Sequence, residues 1–154
     1  MKPTKLSAIV SYAVASSIIG VFLAEFLVRS GAPIPVSPTS LVAVLPFISV
    51  SLVVFAWPIF KYRSAVRARL EQVKKDPASA TNSPAPKRVD PFYAVRVALL
   101  AKSTAIAGAF FSGWHAGVLI ALLSSPAPTA SLLWRAILAV VGSIAMVVCG
   151  LVVE

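Results

Sequence analysis

The chain has 154 residues, of which 58% are hydrophobic and only 12% charged, and its mean hydropathy is +0.90. Soluble domains carry about a quarter charged residues, so a water-soluble globule is excluded. The formal net charge is +9, but the cations punctuate apolar stretches instead of forming one dense patch, which points to a membrane surface and away from nucleic acid. One cysteine, Cys149, rules out an intramolecular disulfide, and one histidine, His115, cannot by itself supply the ligand set of a zinc site. The composition therefore predicts no catalytic residues, no metal and no cofactor: the protein is expected not to be an enzyme.

Residues 6–28 carry only Glu25 as a charge, and at about 1.5 Å per residue they reach roughly 35 Å, enough to cross a hydrocarbon core of about 30 Å. Lys2 and Lys5 precede them as in a signal peptide, but the apolar run exceeds an h-region of about 7 to 15 residues, so it reads as an uncleaved first span. Pro33, Pro35 and Pro38 then break the chain into a loop. Ser37 before Pro38 offers an N-cap with proline in the first turn, which predicts a second span over 39–60, bent by Pro46 and Pro58 where a neighbouring helix or hydroxyl must satisfy the freed carbonyls.

The composition changes abruptly at 61–91. Lys61, Arg63, Arg67, Arg69, Lys74, Lys75, Lys87 and Arg88 stand against Glu71, Asp76 and Asp90. As far as Lys75, Val66, Leu70 and Val73 recur at helical spacing among the cations, which predicts a basic amphipathic extension at the membrane surface. Residues 76–86 are Pro, Ala, Ser, Thr, Asn and Asp and read as a flexible linker. Asp90-Pro91 supplies a carboxylate cap and a first-turn proline for a third span over 92–123. Pro126 and Pro128 make a short turn, and 130–153, charged only at Arg135, forms the fourth span. The expected fold is an all-α integral membrane protein, one membrane domain of four transmembrane helices arranged as two helical hairpins in a bundle.

Four spans put both termini and the central loop on one side. That side holds Lys2, Lys5 and the loop cations, with Arg96 and Lys102 near it, and the other side holds only Arg29 and Arg135. The positive-inside rule then places the termini and 61–91 in the cytoplasm of a plasma (inner) membrane protein. Trp114 and Trp134 fall toward the outer ends of their spans, and Trp57, Tyr62 and Tyr93 toward the inner ends, as in an aromatic belt.

On the third span, setting Arg96 at zero and advancing about 100° per residue puts Ala94, Ala98, Ala101, Ala105, Gly108 and Ser112 within roughly 120° to 200°. In lipid, such a small-residue stripe lets backbones approach and is a favoured helix-packing face. Ala139 and Ser143 form a weaker counterpart on span four.

Among the charges inside the spans, Lys102 either snorkels to the headgroups or faces a carboxylate, an anionic ligand or a partner subunit. Glu25 and Arg29, at i and i+4, and His115 and Arg135 are expected at similar outer depth, as a surface ion pair beside an isolated histidine or as a proton-linked cluster. Arg96 and the loop residues Arg63, Arg67 and Arg69 are candidate lipid-phosphate contacts. Cys149 reads as a packing residue and Glu154 as a solvated terminus.

The block Val89-Asp90-Pro91-Phe92-Tyr93-Ala94-Val95-Arg96-Val97-Ala98-Leu99-Leu100-Ala101-Lys102, continuing through Ala107-Gly108-Ala109 to Gly113-Trp114-His115-Ala116-Gly117, resembles an actinobacterial membrane family, domain of unknown function three-one-eight-zero. Its pattern is matched at Asp90, Pro91, Arg96, Ala101, Lys102, Gly108 and Gly113, and the similarity extends over nearly the whole chain. The resemblance implies a plasma-membrane protein of high-GC Gram-positive bacteria with no established activity.

These residues predict an accessory or scaffold subunit that packs through the small face of span three and binds anionic lipid or a partner through its basic loop. A membrane-protein partner or a homo-oligomer is expected with it. The alternative is a small oligomeric transporter using Lys102 and the outer cluster of Glu25, His115 and Arg135.

Overall fold

A computed structural model of the protein describes residues 4–75, 88–125 and 129–154. The linker expected at 76–86, the turn prolines Pro126 and Pro128, and the cations Lys2 and Lys87 lie outside those residues. The described residues form four helices and no strand: α1 Leu6–Arg29, α2 Thr39–Lys75, α3 Pro91–Leu123 and α4 Ala130–Val153. All four are long and apolar enough to cross a membrane.

Local chemistry sets the helix ends. After α1, Gly31 takes φ +79°; its N–H reaches Val28 O at 3.1 Å and the Ala32 N–H reaches Leu27 O at 2.8 Å, the paired bonds of a Schellman stop that only glycine makes without strain. α3 starts as its sequence demands. The Asp90 carboxylate accepts from Phe92 N–H at 2.9 Å, and Pro91 fills the first position. α2 begins differently: the Pro38 carbonyl receives the first bonds, from Leu41 and Val42, and the Ser37 hydroxyl, expected as the cap, is turned to His115 instead. α2 also continues past the expected end of the second span as one helix of 37 residues, about 55 Å long against a hydrocarbon core of about 30 Å.

Pro46 and Pro58 both lie inside α2. Pro58 deprives the Val54 carbonyl of its helical donor. One residue on, the Tyr93 hydroxyl of α3 donates to Phe55 O at 2.7 Å, a cross-helix bond beside the freed carbonyl.

The helices stand in the order α1, α3, α4, α2. α3 and α4 form a hairpin in contact along its length, α1 packs on the outer flank of α3, and α2 on the outer flank of α4 with a short contact to α3. α1 and α2 have no backbone approach to each other. Their nine-residue connection, 30–38, therefore passes over the end of the α3–α4 hairpin. A stretch of that length reaches at most about 30 Å, and it includes the turn at Gly31 and a tight turn in which the Val36 N–H donates to Ile34 O at 2.8 Å.

Three residues of the predicted stripe on α3, Ala101, Ala105 and Gly108, meet α4. Ala101, Ala105 and Gly108 are buried, with Ala94, Ala98 and Ser112 half-buried along its margins. A Cβ on Gly108 would meet Met146 Cβ and Val147 N at 2.8 Å, and one on Gly150 would meet Ala105 N at 2.7 Å and Ala101 O at 2.8 Å. A second small face, which the stripe did not include, meets α1. A Cβ on Gly113 would run into Ala13 O and Ser16 Oγ, and one on Gly117 into Ser17 O. From α1, a Cβ on Gly20 would lie 2.8 Å from Trp114 O. Ser16, Gly20 and Ala24 are the buried residues of α1 that answer this face.

Because backbone atoms, not flexible side-chain ends, face Gly113 and Gly117, each Gly→Ala substitution should cost about 1–3 kcal/mol of overpacking. Gly142→Ala, whose Cβ would meet Leu45 Cβ at 3.1 Å, should cost less. Thermal unfolding of the three variants in one detergent checks the ranking.

Candidate functional site: a histidine clasp and a basic cleft

His115 is 3% exposed and lies on the α3–α4 seam. Its Nδ1 is 3.0 Å from Ser143 Oγ of α4, and its Nε2 is 2.8 Å from Ser37 Oγ in the α1–α2 connection. Ser143 donates its own proton to Ala139 O at 2.7 Å, so its oxygen is left to accept Nδ1–H. Nε2 then carries the lone pair, and the Ser37 hydroxyl donates to it. Phe111, one turn away, stacks on the imidazole with ring centroids 6.0 Å apart. Both ring nitrogens of a neutral histidine are thus paired, and the proline-rich connection is clasped where it crosses the hairpin. The connectivity is that of a serine–histidine pair with an orienting third group, but Ser143 supplies no charge to stabilise an imidazolium as a triad carboxylate does. The arrangement ties the connection to the hairpin through two hydrogen bonds.

The outer cluster expected from Glu25, His115 and Arg135 is not assembled. Glu25 and Arg29 form an exposed i,i+4 pair at 3.9 Å, beside a cleft lined by Ala121, Ser124 and Ser125. Arg135 is exposed on α4, and His115 bonds to serines. Lys102 is half-buried. Ala101 abuts Gly150, so Lys102 lies level with the last turn of α4, roughly 5 Å from its end. Ile9, near the start of α1, packs with Ala105 at a similar level. The lysine is therefore near one end of the bundle, not at its middle, and its side chain needs little reach to leave the apolar region. Arg96, a turn and a half earlier, is exposed.

That same end gathers the start of α1, the end of α4 and the basic segment. Thr4 N–H donates to Glu154 Oε1 at 3.0 Å, so Glu154, expected to be simply solvated, ties the segment before α1 to the end of α4. Cys149 is half-buried against the cluster of Leu52, Ala56, Val97, Ala101 and Val153. Beyond this cluster α2 continues with Lys61, Arg63, Arg67, Lys74 and Lys75 exposed and Arg69 half-buried. Val66 and Val73 are half-buried and Leu70 is 59% exposed, so the apolar stripe of the extension is partly exposed. Where the extension leaves the bundle, it and the start of α3 enclose a cleft of about 650 Å³ whose walls include Pro58, Lys61, Tyr62, Arg88, Asp90 and Tyr93. Among the described residues no three His, Cys, Asp or Glu side chains come together to hold a metal.

The four apolar helices, their lipid-type packing through small residues and their charge-rich end define an all-α polytopic membrane protein. The chain belongs, more particularly, to the family of proteins of unknown function DUF3180, whose model matches residues 9–154. No curated protein and no solved structure matches it.

Replacing His115 by Phe keeps the ring and removes both bonds. It should lower stability by about 0.5–2 kcal/mol, the range for buried hydrogen bonds between membrane helices, and should speed amide exchange at Ile34 and Val36. Unchanged exchange there would show that the connection is held by other contacts.

Proposed function

We propose that the protein is a non-enzymatic accessory or scaffold subunit of the plasma membrane, with its termini and residues 61–91 in the cytoplasm, that engages anionic headgroups through the basic extension of α2. The observation that carries this reading is the continuity of α2 from Thr39 to Lys75: the helix leaves the bundle with a row of exposed cations and a partly exposed apolar stripe. Each cation near an anionic leaflet contributes about 1 kcal/mol, and Val66, Leu70 and Val73 supply the apolar contact of an interfacial helix. Charge counting supports the orientation, since Lys2, Lys5 and the cations of 61–91 oppose only Arg29 and Arg135.

The small face of α3 is occupied inside the chain, so a membrane partner or a second copy has the outer faces of α1 and α2 to use. The transporter reading has less support: the polar cluster it needs is dispersed, and Lys102 sits at the end of the bundle.

In a Cys149→Ser background, a membrane-impermeant maleimide should label Pro33→Cys in intact cells and Gln72→Cys only after permeabilisation. Reversing Arg63 and Arg67 to Glu should weaken the preference of the reconstituted protein for anionic over zwitterionic lipid and the associations seen by native mass spectrometry. Labelling of Gln72→Cys in intact cells, or a charge-reversed protein that keeps every association, would contradict the proposal.

A further inference from the structure

We infer that the cleft between the start of the α2 extension and the start of α3 is a stoichiometric site for one monoanionic, hydroxyl-bearing phospholipid headgroup, such as that of phosphatidylglycerol. The inference rests on the reading of the extension as an anionic-lipid surface and narrows it to a single place. The cleft, of about 650 Å³, has the size of a small-molecule site, and it lies just past the level at which Val153, at the end of α4, packs on Leu52 and Ala56. That is headgroup depth for helices of this length.

Its chemistry is divided as a phospholipid's is. Pro58 and the Tyr62 and Tyr93 rings form an apolar floor, and Tyr93 is fixed there by its hydrogen bond to Phe55 O. Lys61 and Arg88, both exposed, bring two cations from different segments to the same opening. Arg88 offers the planar fork that suits a phosphate and Lys61 a point charge. Asp90 is the third charged wall, and its carboxylate already accepts from Phe92 N–H. The charged walls thus carry one net positive charge, which a phosphodiester monoanion balances. The remaining acceptor capacity of Asp90 suits headgroup hydroxyls and disfavours a second phosphate charge.

The test is lipid titration of the full-length protein in mild detergent, read by native mass spectrometry. The probes are phosphatidylglycerol, phosphatidylcholine with the same acyl chains, and inorganic phosphate. Lys61→Gln with Arg88→Gln is compared with Lys74→Gln with Lys75→Gln, which removes the same charge farther along α2. The site predicts one tightly held phosphatidylglycerol per chain, about a thirtyfold loss of its affinity in the cleft variant, less than about a twofold loss in the distal variant, and no competition by inorganic phosphate. Equal losses in the two variants would overturn the site while leaving the general lipid reading intact. Displacement by inorganic phosphate would replace the lipid with a free anion. No preference for phosphatidylglycerol over phosphatidylcholine in the wild-type protein would overturn both the site and the reading beneath it.

Discussion

Helices already dissolved in lipid gain almost nothing from hiding apolar side chains from one another, so their association depends on how closely their backbones approach. In this protein α3 meets that constraint on two sides. Ala101, Ala105 and Gly108 admit α4, and Gly113 and Gly117 admit α1, in both cases with room for no further carbon. With both flanks of α3 occupied, α2 is left to pack on the far side of α4, where Gly142 receives Leu45. The first two helices are then separated by the second two, the short connection has to cross the hairpin, and a histidine on the seam has something to hold. The His115 clasp is thus a consequence of the packing order.

The same order separates two chemistries along the bundle axis. At the clasp end, Ser37, His115 and Ser143 bond to one another, and the charged residues Glu25, Arg29 and Arg135 are exposed. At the opposite end Thr4, before α1, meets Glu154 at the end of α4, and two helices outlast the others, α2 with its cations and α3 with its capped start. Because α1 and α4 stop there, the flanks of α2 and α3 beyond Val153 have no helical neighbours among the described residues, and the cleft of Pro58, Lys61, Arg88 and Tyr93 opens between them. The unequal helix lengths, more than any single residue, create the surface on which the functional proposal stands.

Much of this was legible in the sequence. Apolar runs bounded by proline clusters mark the spans because each run must match a hydrocarbon thickness, and Asp90-Pro91 marks the start of α3 because the cap and the proline act locally. The stripe on α3 was legible because its six small residues share one narrow arc. Gly113 and Gly117 fall at about 260° and 300° on the same helical projection, outside that arc, so the α1 interface was missed, although a Gly-xxx-Gly pair is itself a packing signal and Ser16 and Gly20 repeat its spacing on α1. The role of Ser37 was hidden for a different reason. Beside Pro38 it satisfies the local rule for a cap, and only the crossing of the connection over the hairpin brings His115 within hydrogen-bond distance. The dispersed Glu25, His115 and Arg135 show the converse: equal depth on separate helices does not imply proximity, since rotation about each helix axis decides which residues meet.

The packing order is tested most directly by disulfide scanning in native membranes, with single cysteines placed along α1 and along either α3 or α2 in a Cys149→Ser background. The account predicts rapid bond formation for a periodic set of α1–α3 pairs centred on the Ser16 and Gly113 level, and none for any α1–α2 pair within the spans. Efficient α1–α2 bridges, with α1–α3 pairs unreactive, would contradict it.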